Sequence, residues 1–288
     1  MKRILIQFDP DKHPSSFDRV VAIDAGADEV FSYGGVEPED VAGLVHGAIF
    51  TRGPADLKNS AIFVGGNDVE AAEVIAAKIK QTFFGPMRVS VMIDPNGSNT
   101  TAAAAIAAAR VHLDLSEITA VVFGGTGPVG ERIAHLLLKY GAGVRITSRT
   151  IERSTEVCDR LRERFPDGRL TACETGTADG RKSITRGINA IFAAGAAGVQ
   201  FLKQPQWQGI EGLKLVVDLN AVPPAGLEGI EVTDKGETRD GITCYGAIGV
   251  GGLKMKIHKA AVNRLFDAND LILTTDSIDE LATEVVGR

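Results

Sequence analysis

Gly125-Thr126-Gly127-Pro128-Val129-Gly130 is the stretch of this 288-residue chain whose types and spacing bear most directly on chemistry. An apolar, β-prone run (Ile118, Val121, Val122, Phe123) leads into it. An apolar helical pattern at Ile133, Ala134, Leu136, Leu137 and Leu138 leads out. The order strand, glycine turn, helix makes Gly-x-Gly-x-x-Gly a dinucleotide-binding signal. Gly125 permits the tight turn, Gly127 lets the backbone approach a pyrophosphate, and Gly130 lets the helix lie close on the strand. The free amides of the first helical turn then face the phosphates.

The following strand selects the dinucleotide. Residues 143–149 form a short β-like run whose end carries Ser148 and Arg149, followed by Thr150, with no carboxylate before Glu152. A carboxylate at this place serves the ribose 2′-hydroxyl of NAD. A guanidinium and two hydroxyls instead suit a 2′-phosphate, through charge-assisted hydrogen bonds. The expected cofactor is therefore NADP. Ala194, Asn220 and Gly246 stand at the ends of later strand-like segments and are expected to lie along the same cofactor.

These residues need a frame. The first hundred alternate strand and helix signals: strands at 4–8, 29–33, 48–51, 61–64 and 88–93, helices at 14–23, 38–45 and 68–83. Such alternation argues for an α/β layer with a mainly parallel sheet. A polar loop at 94–101 precedes an alanine-rich helix over 102–109, capped by Ser98, Asn99 or Thr100. Its hydroxyls and amides either hold a polar ligand or cap the helix and nothing more. From Ile118 the second domain continues with strands at 144–147, 170–173, 190–193 and 213–219 and a helix at 151–165. A second glycine-rich turn at 245–252 precedes a helix over 253–266, and a last helix covers 276–286. The fold class expected is α/β in two domains. Residues 99–266 form a Rossmann NADP-binding domain. Residues 1–98 and 267–288 form an α/β domain completed by the C-terminal helix.

Composition narrows the function classes. With 44% apolar and 24% charged residues, the chain can bury an ordinary globular core. A net charge of −6 without a basic run points away from nucleic acid. No apolar run approaches the length that crosses a bilayer, and the N-terminal residues turn polar too soon for a signal peptide. Cys158, Cys173 and Cys244 match no metal spacing, and an odd count suits reduced thiols in the cytoplasm. The five histidines form no ligand pattern, so no metal is expected. No Tyr-x-x-x-Lys follows the glycine motif, and no histidine stands out as a base for oxidising an alcohol.

Several further stretches are specific. Gln7-Phe-Asp9, Ile62-Phe-Val-Gly-Gly66, Phe83-Phe-Gly-Pro86, Arg88-Val-Ser90, Asn96-Gly-Ser-Asn-Thr-Thr101 and Gly246-Ala-Ile-Gly-Val-Gly-Gly-Leu-Lys-Met-Lys256 join the glycine fingerprint. Together they make the chain resemble, over nearly its whole length, the NADP-dependent methylene-tetrahydromethanopterin dehydrogenases of methylotrophic bacteria. Some members of that family use methylene-tetrahydrofolate. The resemblance implies a reaction that needs no base: loss of hydride from a bridging methylene leaves a methenyl cation shared by two nitrogens. It implies that Lys254 reaches the reacting region and that Phe17 lies near the pterin. Asn99, Thr100, Thr101 and, more weakly, Lys256 are implied substrate contacts. A homo-oligomer, in trimeric form, is also implied. Read from the residues alone, Lys254 equally flanks a helix start, and Phe17 is a core residue of the first helix. Two rivals remain: a two-domain dehydrogenase of the shikimate dehydrogenase type, and a non-catalytic NADP-sensing protein.

Overall fold

The computed structural model of the chain describes residues 1–176 and 184–287. It divides into two compact units, Met1–Thr100 with Met255–Arg288, and Thr101–Lys254.

The first unit opens with β1 (Ile4–Asp9), α1 (Ser16–Asp24), β2 (Glu29–Gly34), α2 (Val41–Ile49), β3 (Ser60–Val64), α3 (Val69–Thr82) and β4 (Ser90–Ile93). The central strands β3 and β4 are short and mostly apolar, as strands covered on both faces must be, whereas β2 at the sheet edge is largely exposed. Every residue of β3 and β4 is buried. Helix α4 (Ser98–Arg110) then carries the chain across the division between units, which falls inside it. Residues 102–109 are all buried, so the alanine run is a packing surface. Residues 48–51, expected as a strand, are instead the end of α2 and the turn after it. Val41, Val45, Ala48 and Ile49 recur at helical spacing and bury one face, and that period overrides the local β propensity of the segment.

The second unit holds β5 (Thr119–Phe123), α5 (Pro128–Lys139), β6 (Gly143–Ser148), α6 (Ile151–Arg164), β7 (Leu170–Glu174), β8 (Ala190–Ala193), α7 (Gln204–Gln208), β9 (Leu215–Asp218), β10 (Lys235–Arg239) and β11 (Ile242–Tyr245). Its sheet runs β10-β11-β9-β8-β5-β6-β7. All neighbours are parallel except β10 and β11, which form an antiparallel hairpin. The core under it includes Val121, Phe123, Ile191, Trp207, Val216 and Leu227.

Helix α8 (Ala247–Arg264) returns the chain to the first unit. It begins six residues earlier than the helix expected at 253. Two glycines at its start pack on backbone: a Cβ at Gly246, just before the helix, would collide with the Glu231 carbonyl, and one at Gly249 with that of Asp234, whereas Gly251 and Gly252 face open space. β12 (Ile272–Leu273) and α9 (Thr275–Val286) complete the first unit, whose parallel sheet reads β12-β4-β3-β1-β2. Among the described residues, no helix is long and apolar enough to cross a membrane.

Candidate functional site

Strand order in the second unit reverses between β5 and β8, and open α/β sheets bind ligands at the carboxyl ends of strands beside such a reversal. Two loops meet there. Gly124 leaves β5 at φ +69°, a left-handed conformation that favours glycine. A Cβ on it would stand 2.6 Å from the Gly195 Cα, in the loop that leaves β8 after Ala194. The left-handed residue of the turn is thus Gly124, not Gly125. Gly125 is confined sideways: its Cβ would meet the Ile146 side chain at 2.8 Å. A Cβ at Gly130 would collide with the Gly124 carbonyl, so Gly130 fixes how closely α5 lies on the turn.

Gly127 differs. The Gly124 carbonyl accepts its N–H at 3.0 Å, and Gly127 caps α5. Yet a Cβ there would meet nothing nearer than that carbonyl oxygen, at an ordinary 3.4 Å. No packing inside the chain requires the missing side chain. The opening fits a pyrophosphate drawn up to the backbone, with Pro128 starting the helix and Val129 and Gly130 following.

Beyond the turn, Ser148 ends β6, and a cavity of about 250 Å³ opens there. Its lining includes Thr126, Ser148, Arg149, Arg153 and Thr175. Arg149 and Arg153 are both exposed, so two guanidinium groups serve one cavity. Arg153 escaped the sequence reading. The signal was present, since it follows Arg149 by four residues and lies in the first turn of α6. Thr150 is the N-cap of α6, but its side chain makes no capping bond.

Asn220 lies just past the carboxyl end of β9 with its side chain turned into its own loop. Its Nδ2 donates to the Pro224 carbonyl (3.2 Å), and its Oδ1 accepts from the Val222 N–H (3.1 Å). Asp218 at the end of β9 holds that loop, accepting from the N–H groups of Asn220 (3.0 Å) and Leu227 (2.7 Å). Burial pushes the Asp218 carboxyl above its ordinary range. Gly246 is buried, and the Glu231 carbonyl accounts for its missing Cβ. Lys254 is half-buried in the third turn of α8. It does not flank a helix start, since Ala247–Leu253 precede it in the helix. Lys256 is exposed two residues on.

In the first unit, strand order reverses between β1 and β3. Asp9 ends β1, is fully buried, and accepts from the N–H groups of Asp11 (2.9 Å) and Ser15 (3.1 Å). Burial pushes its carboxyl upward too. Ser15 in turn caps α1, its Oγ accepting from the Asp18 N–H at 3.3 Å. That cap presents Phe17 in the first turn, 51% exposed. Phe17 is therefore not a core residue. The neighbouring Asp18 is half-buried.

The polar loop behaves differently. Asn99 and Thr100 are buried, and their side chains bond within the unit. Asn99 Nδ2 donates to the Ile93 carbonyl (2.6 Å), and its Oδ1 accepts from the Thr275 hydroxyl (2.6 Å). The Thr100 hydroxyl donates to Asp94 Oδ2 at 2.6 Å. Asp94 Oδ1 also accepts both backbone N–H groups, from Asn99 (2.8 Å) and Thr100 (3.1 Å). Of the two roles open to this loop, these bonds are those of a helix cap. Thr101, half-buried, begins the second unit. Among the described residues no cluster of His, Cys, Asp or Glu could hold a metal.

Two curated relatives match this chain over nearly its full length, and a family model matches part of it. A family model described as methylene-tetrahydromethanopterin dehydrogenase, N-terminal, matches residues 16–96. A protein of Methylorubrum extorquens named bifunctional protein MdtA is 42% identical over 286 residues, covering 99% of each chain. A second protein of that organism, named NAD(P)-dependent methylenetetrahydromethanopterin dehydrogenase, is 32% identical and again covers 99% of each. Among solved structures, shikimate 5-dehydrogenase from Listeria monocytogenes shares the fold. It has a TM-score of 0.53 at 11% identity, over 97% of this chain and 96% of that one.

Proposed function

We propose, for a chain that belongs to the methylene-tetrahydromethanopterin dehydrogenase family, the NADP-dependent oxidation of methylene-tetrahydromethanopterin to methenyl-tetrahydromethanopterin by direct hydride transfer. The observation that carries this reading is full-length kinship: 32% identity over 99% of both chains with a dehydrogenase of that name. The shikimate dehydrogenase likeness, at 11% identity, speaks for the fold alone. A protein that only senses NADP would need no likeness in the N-terminal half, where the family match lies.

The chain's own residues have defined tasks in this reaction. The amides after Gly127 hold the pyrophosphate, and Arg149 with Arg153, Ser148 and Thr150 hold the 2′-phosphate. NADP, when bound, supplies the acceptor for the hydride. The methylene C–H bond breaks with both electrons leaving on hydrogen, and the two flanking nitrogens share the positive charge that remains. No proton leaves the substrate, so the protein needs orientation, a suitable field and exclusion of water more than it needs a base. Phe17 supplies an apolar ring for the pterin, and Lys254 fixes its angle by hydrogen bonding. Thr101 and Lys256 are further substrate contacts. Asn99 and Thr100 serve the same side through the Asp94 cap.

The reacting head is common to methanopterin and folate carriers, so methylene-tetrahydrofolate is proposed as a second substrate. The three free cysteines support a reducing, cytoplasmic setting. A homo-oligomer in trimeric form completes the proposal. The test is the initial rate of NADPH formation with each methylene carrier, repeated with NAD. Activity with either carrier and a preference for NADP support the reading. A purified, folded protein inactive with both carriers overturns it.

A further inference from the structure

His258 fits no ligand pattern in the sequence, yet it is buried between aromatic rings of the first unit. It is fully buried on α8, one helical turn after Lys254. The Phe63 ring of β3 stacks on it, centroids 5.7 Å apart and planes 16° apart. The Phe17 ring lies on it at 6.4 Å and 57°. Its Nδ1 is 4.0 Å from Asp94 Oδ2, the oxygen that takes the Thr100 hydroxyl. Three rings thus run outward in sequence from a core strand: Phe63 buried, His258 buried, Phe17 half exposed at the edge where β1 and β3 reverse.

We infer that His258 is a positioning residue for substrate, acting through Phe17. This rests on the proposed pterin substrate and goes further in saying what sets the height and tilt of the ring that receives it. An exposed phenylalanine on a first helical turn has several rotamers, and a freely turning ring is a poor platform. The imidazole fills the space under it, and Phe63 fixes the imidazole from the other side. Tilted and offset ring pairs at such spacings contribute beyond their buried area. Asp94 adds a fixed carboxyl acceptor on the ring's nitrogen side and anchors the start of α4 at the same time. The Phe17 platform and the cap of α4 therefore share one buried imidazole.

The test is a double-mutant cycle read by binding. The probe is tetrahydrofolate or tetrahydromethanopterin, whichever wild type binds more tightly, titrated by calorimetry, with NADPH titrated in parallel. His258→Leu removes the flat ring, and Phe17→Ala removes the platform. If His258 acts through Phe17, His258→Leu weakens pterin binding by about threefold to tenfold, the range of one aromatic pair. In the Phe17→Ala background it then has no further effect. NADPH affinity stays within about twofold throughout. The same factor in both backgrounds, or an equal loss of NADPH affinity, overturns the inference, since a merely structural histidine behaves so. If His258→Leu does not fold, His258→Phe keeps a ring in place and is read in the same cycle. Affinity near wild type, or a loss that vanishes without Phe17, supports the inference; a loss that persists without Phe17 overturns it. Wild type that binds neither pterin contradicts the proposed function and this inference together, whereas binding with additive losses contradicts this inference alone.

Discussion

Arg149 and Arg153 share one cavity, and that sharing changes what either substitution does. A charge-assisted hydrogen bond to phosphate is worth about 1.5–3 kcal/mol, or roughly tenfold or more in affinity. Arg149→Ala is expected to raise the KM for NADP by at least about tenfold, and Arg153→Ala by a smaller factor, while the KM for NAD changes little. Equal losses for both cofactors would place the two guanidinium groups elsewhere. Lys254 has a different signature. Lys254→Ala is expected to lower kcat with the methylene carrier by on the order of a hundredfold, the scale of a lost orientation, with NADP affinity near normal. A rise in KM alone would assign it uniform binding, and no change would remove it from the site. Arg149 was readable from sequence because a strand end after a glycine fingerprint is a fixed address. Arg153 was passed over although its spacing of four from Arg149 was a signal, because its proximity depends on where α6 starts. Asn99 and Thr100 show the converse limit. Their types suit a ligand, but only the bonds to Asp94, Ile93 and Thr275 reveal a cap.

Among the elements, the turn from β5 into α5 separates two kinds of glycine. Gly130 has no room for a Cβ because the Gly124 carbonyl occupies its place, whereas Gly127 has room and only a ligand would contest it. Gly130→Ala is therefore expected to lower the thermal midpoint, by the several degrees that an overpacking cost of about 1–3 kcal/mol implies. Gly127→Val should leave the far-ultraviolet circular dichroism and thermal midpoint close to wild type while abolishing NADPH binding in calorimetry. Unaltered NADPH affinity in Gly127→Val would make the turn purely structural. The motif's spacing was plain in the sequence, but the left-handed residue, Gly124, was not, since two adjacent glycines look alike until a φ angle distinguishes them. The start of α8 was missed for a related reason. Gly246, Gly249, Gly251 and Gly252 read as a turn by propensity, yet the segment from Ala247 is helical, with Gly246 and Gly249 set close against the Glu231 and Asp234 carbonyls. The β10–β11 hairpin went unseen because Lys235-Gly-Glu-Thr-Arg239 has weak strand propensity.

At the scale of the molecule, two parallel-sheet units were legible because strand and helix signals alternate along the chain, and that alternation is a property of many residues at once. Stability should carry the mark of one buried group in the second unit. Burial pushes the Cys158 thiol up to about 11, from an ordinary value of 9.0. The unfolded chain then loses this proton at lower pH than the folded one, so its contribution is complete below about 9 and is lost as pH rises through about 11. Native Cys158 should resist iodoacetamide at neutral pH, as followed by mass spectrometry of the labelled peptide, and react only on unfolding. Labelling as fast as that of an unfolded control would contradict its burial. The central claim is that one hydrogen passes directly from the methylene carbon to the cofactor. The most direct measurement uses carrier charged with dideuterated formaldehyde, NADP and the wild-type enzyme in ordinary water, with the reduced cofactor isolated and weighed by mass spectrometry. Direct transfer predicts one deuterium per NADPH formed. NADPH free of deuterium, or no NADPH from either carrier, would contradict the account.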